Sequence, residues 1–192
     1  MKITKARYEI LTEISKDGIE ELQHIEKIGR VCYKSEDKIT EDGESARDFV
    51  KMIIVRGHEA MIDHSSLSVK FIVDRGVSHE LVRHRIASFA QESTRYCNYS
   101  KDKFGKEITV IDPCFFSPLS DSYTFWKHAM ESAEAHYFSL LDSGATPQEA
   151  RSVLPNSTKT EITITANYRE WRNFFKLRIA KAAHPQMREV TI

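Results

Sequence analysis

Apolar residues in the first part of the chain return at helical intervals. Ile19, Leu22, Ile25 and Ile28 recur every three residues, which predicts an amphipathic helix over residues 18–31. Residues 45–55 (SARDFVKMIIV) predict a second helix, ended by Gly57. The period then shortens. Leu67, Val69, Phe71 and Val73 alternate with polar neighbours, the pattern of a strand with one buried face. Ser78 is placed to cap a short helix reaching Arg85. A long helix is predicted over residues 120–141, where Tyr123, Trp126, Met130, Ala133, Tyr137, Leu140 and Leu141 keep helical spacing. Thr146 followed by Pro147 reads as a cap with proline at the first helical position. Residues 160–166 (TEITITA) alternate like a second strand, and Asn167 opens a last helix with Glu170 three positions on, in the manner of a capping box. Strands separated by helices of unequal length, with no linker or repeat between them, predict an α+β fold in a single domain over residues 1–192.

Composition narrows the function classes. Lys+Arg and Asp+Glu number 28 each, so net charge is zero. A generic coat for nucleic acid or an anionic membrane is usually basic overall, which argues against both. No stretch approaches the roughly 20 apolar residues of a membrane helix. The N-terminal stretch has no continuous apolar segment of the signal-peptide kind, so a cytoplasmic protein is expected. Cys32, Cys97 and Cys114 lack metal-ligand spacing and are expected to be small buried residues in a reducing compartment. His58 and His64, like His79 and His84, miss the i,i+4 spacing of a helical zinc site, so no metal is expected.

The arginines are unevenly placed. Between Phe71 and Ser100 stand Arg75, Arg83, Arg85 and Arg95 with no lysine, and from Arg151 onward five arginines face three lysines. A solvated face accepts either residue, whereas a site for phosphate or a flat heterocycle favours the rigid guanidinium fork. On the last helix, Trp171, Phe174, Phe175, Arg178 and Ala182 fall on one side. Arg178 in an apolar stripe needs an anionic partner, and either a carboxylate of its own chain or a ligand would serve. Arg169 and Asn173 share another face and are expected to reach one ligand.

The densest stretch is Arg83-His84-Arg85, then seven residues, then Ser93, with Arg95-Tyr96 following. Upstream stand Gly57-His58-Glu59 and Asp63-His64. Downstream come Arg151, Leu154-Pro155, Thr165-x-Asn167-x-Arg169-Glu170 and Leu177-Arg178. Taken together these blocks resemble the flavin-dependent thymidylate synthases, with their RHR-x7-S signature, a GHE segment before it and LP, T-x-N-x-R and LR after it. Three departures stand out: Ala90 before Gln91-Glu92 where an Asn-Glu pair is common, Glu80 where some relatives carry Gln, and Ala60 where a hydroxyl is frequent.

The resemblance implies that the enzyme builds a methyl group on C5 of dUMP, with 5,10-methylenetetrahydrofolate as carbon donor and FAD, re-reduced by NADPH, as hydride source. It also implies a homotetramer with active sites between subunits. Carried onto this sequence, it puts Arg83, His84, Arg85 and Gln91 at FAD, together with His58, Asn167, Arg169 and Asn173. It puts Glu80, Arg83, Gln91, Glu92, Ser93, Thr94, Arg95 and Arg151 at dUMP, with Arg95 and Arg151 on its phosphate. Arg178 would act catalytically, lying against the uracil and favouring its N3-deprotonated form. Ser93 reads as a substrate contact or as a turn serine. No cysteine stands in a nucleophile motif, although Cys97, just past the signature, is the one to test. The competing reading is a single-strand binder that stacks bases on Phe89, Tyr96 and Tyr99, against which the zero net charge speaks.

Overall fold

The computed structural model describes every residue except Lys16, and every side chain except those of Lys16 and Lys103. A four-stranded antiparallel sheet is its centre, in the order β2 (Arg7–Ile10), β3 (Ser66–Asp74), β6 (Lys159–Asn167), β4 (Ala87–Gln91). The two long central strands pair from Ser66 opposite Asn167 to Asp74 opposite Lys159. Their alternation decides the faces: Val69, Phe71, Val73, Ile162, Ile164 and Ala166 point into the main core. The other face is polar apart from the buried Ile72, and Ser68 and Thr165 meet there through their hydroxyls at 2.7 Å.

Each central strand runs directly into a helix. β3 leads into α3 (Arg75–Leu81) and β6 into α6 (Tyr168–Arg178). Asp74 and Asn167, the last strand residues, are also the helix caps, accepting from Val77 N at 2.6 Å and Glu170 N at 2.8 Å. Because β3 and β6 are antiparallel, the two helices start from opposite ends of the sheet and turn back over the same face. Val77 and Leu81 of α3, Trp171 and Phe174 of α6, and Met187 of α7 (Pro185–Glu189) complete the core on that face. Burying each large side chain there contributes roughly 1.5–3 kcal/mol.

Two further clusters flank the sheet. α1 (Ile19–Tyr33) and α2 (Glu44–Val55) pack through Ile25, Phe49, Val50 and Ile53. α4 (Asp121–Asp142) covers a two-stranded parallel ribbon of β1 (Lys2–Thr4) and β5 (Thr109–Ile111), with Met130 and Tyr137 against Ile108 and Val110. The short α5 (Pro147–Ala150) begins with its proline at the first turn, and Thr146 N donates to Glu149 Oε2 at 2.8 Å.

The helices predicted over 18–31, 45–55 and 120–141 and the two alternating strands are all present, and the α+β class holds. Three expectations change. Ser78 does not cap α3; it lies inside the helix, fully buried, and donates to the Arg75 carbonyl at 2.8 Å. The cap is Asp74, and α3 ends at Leu81, so Arg83, His84 and Arg85 stand in the turn that follows. The cysteines are not buried either: Cys32 and Cys114 are exposed, and Cys97 is half-buried at the edge of the cluster under α4.

Candidate active site

Arg178 ends α6 where that helix meets α3. Its Nη1 donates to Glu80 Oε2 at 3.0 Å, its Nη2 to the Glu80 carbonyl at 2.9 Å, and its Nε to His84 Nε2 at 3.0 Å. Of the two partners open to the sequence reading, the carboxylate is the one found in the chain. Glu80 is about a third exposed and Arg178 16% exposed. An ion pair in such partly wet surroundings contributes about 1 kcal/mol or less, so its main effect is to orient the guanidinium. Two of the five N–H groups that arginine carries make none of these bonds, and the Arg178 residue lines a hollow of about 460 Å³ with Glu80, Leu177, Ala182, Ala183 and His184.

Behind Arg178 the network continues inward. His84 Nδ1 lies 2.7 Å from Glu170 Oε1, with both side chains over nine-tenths buried. Asn173 Nδ2 donates to both Glu170 oxygens at 3.3 Å. Asn167 holds the Glu170 amide as half of the expected capping box. The Glu170 carboxylate does not return to Asn167 N; His84 has taken it.

The same α6 surface opens on its other side into a broad hollow of about 850 Å³, lined by Glu59, Asp63, Ile86, Asn167, Arg169, Asn173 and Phe175 among others. Arg169 and Asn173 do share this hollow. Arg169 pairs with Asp63 at 3.3 Å, and Arg172 with Glu59 at 3.2 Å. Arg83 and Arg85 are exposed, and among the described residues their side chains have no carboxylate partner. Ile86 beside them is 69% exposed. Exposed cations next to an uncovered apolar side chain suit a ligand with both phosphate and a flat ring, which is the chemistry of a flavin dinucleotide. His58, the chain neighbour of Glu59, is exposed, with Nδ1 2.6 Å from the Tyr33 hydroxyl.

The residues of the signature's second half separate into two places. Thr94 is buried and accepts from Arg151 Nη1 at 3.3 Å. These two line a hollow of about 460 Å³ with Arg75, His79 and Asn156, separate from the hollow that Arg178 lines. Arg75 and His79 stand four apart on α3; the arginine-rich composition of that stretch signals Arg75, and nothing in the sequence singles out His79. Ser93 is a turn residue whose Oγ accepts from Arg95 N at 3.3 Å, and the Arg95 guanidinium stacks over the Tyr96 ring at 5.6 Å. Gln91 bridges elements by donating to Ser78 Oγ at 2.9 Å and Thr160 Oγ1 at 3.3 Å.

Glu92 is turned elsewhere. It accepts from Tyr99 at 3.1 Å and from Lys159 at 3.1 Å. Burial alone lowers the Lys159 pKa, but its bonds to Glu161 and Glu92 outweigh that and hold the ammonium above its ordinary value. Cys97 packs against the cluster around Tyr99 and Tyr137. One chain therefore brings Glu80, His84, Asn173 and Arg178 together, and separately Thr94 and Arg151. It does not bring the two sets into one hollow.

Known proteins bear on this arrangement. The model of the family described as thymidylate synthase complementing protein matches residues 17–192. A flavin-dependent thymidylate synthase of Geobacter sulfurreducens is 33% identical over 168 residues, covering 85% of this chain and 71% of its own. One from Corynebacterium aurimucosum is 31% identical over 196 residues, covering 94% and 76%. A crystal structure of the UMP/dUMP methylase PolB from Streptomyces cacaoi, bound with 5-Br dUMP, superposes with a TM-score of 0.78 at 24% identity. That alignment covers 100% of this chain and 89% of the other, and it shows a shared fold.

Proposed function

The chain belongs to the flavin-dependent thymidylate synthase family, and from that premise we propose how its residues convert dUMP to dTMP. The observation that carries the proposal is Arg178, a guanidinium fixed by three hydrogen bonds at the rim of a hollow, with N–H groups still available. The uracil ring lies against it. A fixed cation beside N3 and its neighbouring carbonyl lowers the pKa of the imide and favours the ionised ring. That charge delocalises to C5, the atom that must attack the methylene carbon. No cysteine needs to add to C6.

Arg151, Thr94 and Arg95 hold the dUMP phosphate, with Ser93 and Gln91 shaping the loop around it. Arg83 and Arg85 bind the flavin phosphates, and Asn167, Arg169, Asn173 and His58 border the rest of the cofactor. When bound, the flavin supplies the two-electron reduction that completes the methyl group. We assign 5,10-methylenetetrahydrofolate as the methylene donor and NADPH as the reductant, with dTMP and tetrahydrofolate as products in the cytoplasm.

Arg178 and the Arg151–Thr94 pair line two separate hollows of one chain, which supports a site completed by a second copy, one chain giving Arg178 and the other Arg151. We propose the homotetramer on that ground; a monomeric mass by light scattering contradicts it. The function itself is tested by dTMP formation from dUMP with FAD, NADPH and methylenetetrahydrofolate. The wild type should form dTMP, and Arg178→Ala should keep its yellow flavin but lose most turnover. An unchanged rate in that variant rejects the assigned role.

A further inference from the structure

We infer that Glu170 and His84 are a positioning pair that sets the angle of the Arg178 guanidinium, an inference resting on the uracil-facing role proposed for Arg178. Hydrogen-bond polarity is the starting point. Arg178 Nε carries one hydrogen and donates. Its partner at 3.0 Å is His84 Nε2, which must present a lone pair. A neutral imidazole with bare Nε2 carries its hydrogen on Nδ1. That nitrogen is 2.7 Å from Glu170 Oε1. Only one assignment satisfies all three residues: Glu170 accepts from His84, and His84 accepts from Arg178.

The surroundings leave the imidazole no alternative. Its ring lies 5.0 Å from that of Phe174, and its side chain is 5% exposed. The opposite tautomer would set Nε2–H against Nε–H, donor facing donor, and remove one of the three anchors of Arg178. Burying the Glu170 carboxylate costs stability that an apolar residue at the same place would not. The carboxylate leaves Asn167 N without the return bond of a capping box and turns to His84 instead. With Nδ1 on Glu170 and Nε2 on Arg178, neither ring nitrogen of His84 remains for a cofactor. This moves His84 from the flavin-contact set to the support of Arg178.

The test has two arms. In the first, ¹⁵N–¹H NMR of the histidine side chains is recorded on the purified wild type, and His84 is assigned by its loss in His84→Gln. The expected spectrum is protonated at Nδ1 and bare at Nε2; an Nε2–H tautomer overturns the inference whatever the activity. In the second arm, Glu170→Leu and Glu170→Gln are compared, with flavin absorbance and thermal melting checking that each is folded and loaded. Turnover should fall about 100-fold in Glu170→Leu, the scale of a small misplacement of a reacting group, with flavin retained. It should largely return in Glu170→Gln, whose Oε1 still accepts from His84 Nδ1–H. Wild-type turnover in Glu170→Leu, or equal loss in both variants, overturns the inference. Should Glu170→Leu not fold, the tautomer decides, since it needs no change at Glu170. A wild type that makes no dTMP would defeat the proposed function while the spectrum still decides the pair.

Discussion

Arg178 and the Arg83/Arg85 pair flank the same buried histidine and are treated in opposite ways by the fold. Arg178 is mostly covered and tied to Glu80 and His84 before any ligand arrives. Arg83 and Arg85 are exposed, and among the described residues no carboxylate answers them. The difference is one of task. A cation that must meet one edge of a ring at one angle benefits from anchors that remove its rotamers in advance. A cation that must find a flexible phosphate chain benefits from remaining mobile and unneutralised, attracting its ligand through solvent.

The largest test of this contrast is the chemistry. Arg178→Ala should lower dTMP formation by about 10²–10³-fold, the range seen when a preorganised donor at a developing charge is removed. Its melting temperature should fall by only a few degrees, from the bonds lost at Glu80 and His84. If Arg83→Ala at saturating flavin gave the same loss of turnover, the contrast would collapse. Next in size, Arg83→Ala combined with Arg85→Ala should weaken flavin binding by about 10-fold or more, from charged hydrogen bonds of about 1.5–3 kcal/mol each. Wild-type flavin affinity should also fall as salt is added, whereas turnover of the loaded enzyme should not, because screening acts mainly on exposed charges.

A smaller effect concerns the platform beneath Arg178. Asp74→Ala removes the cap of α3, the helix that carries Glu80, and should cost about 1 kcal/mol. In a chain of this size that lowers the melting temperature by roughly 2–4 °C, measurable by calorimetry. The smallest effect lies away from both regions. Lys159 is held above its ordinary value of 10.5, so its folded form binds the proton more tightly than the unfolded chain does. Its stabilising contribution is complete below pH 10.5 and is lost as pH rises through the folded value. Lys159→Met should flatten that part of the alkaline stability curve, and an unchanged slope refutes the assignment.

What could be read from the sequence followed the range of the interactions. Strong alternation at Leu67–Val73 and in TEITITA announced the two central strands, and Asn167 announced the helix after the second, whereas the cap of α3 was misplaced from Asp74 to Ser78. β4 escaped because ASFAQ is short and offers only one bulky residue, Phe89, to alternate. β1 and β2 escaped because three or four residues are too few for a period. In the site, the arginines were visible as composition, and Arg178 as a charge in an apolar stripe. Glu170 was legible only as half a capping box, since the histidine that claims its carboxylate is 86 positions away. Thr94 and Arg151, 57 apart, met for the same reason without local warning.

The direct passage from strand to helix at Asp74–Arg75 and at Asn167–Tyr168 carries a further cost. With no spacer to absorb slack, adding or deleting one amino acid at either junction would swing every following side chain about 100° around its axis. Glu80 or Arg178 would then face away from its counterpart, even though nothing in the cavity itself had been touched. A lineage can therefore repaint this site by exchange far more readily than by changing the length of chain that leads into it.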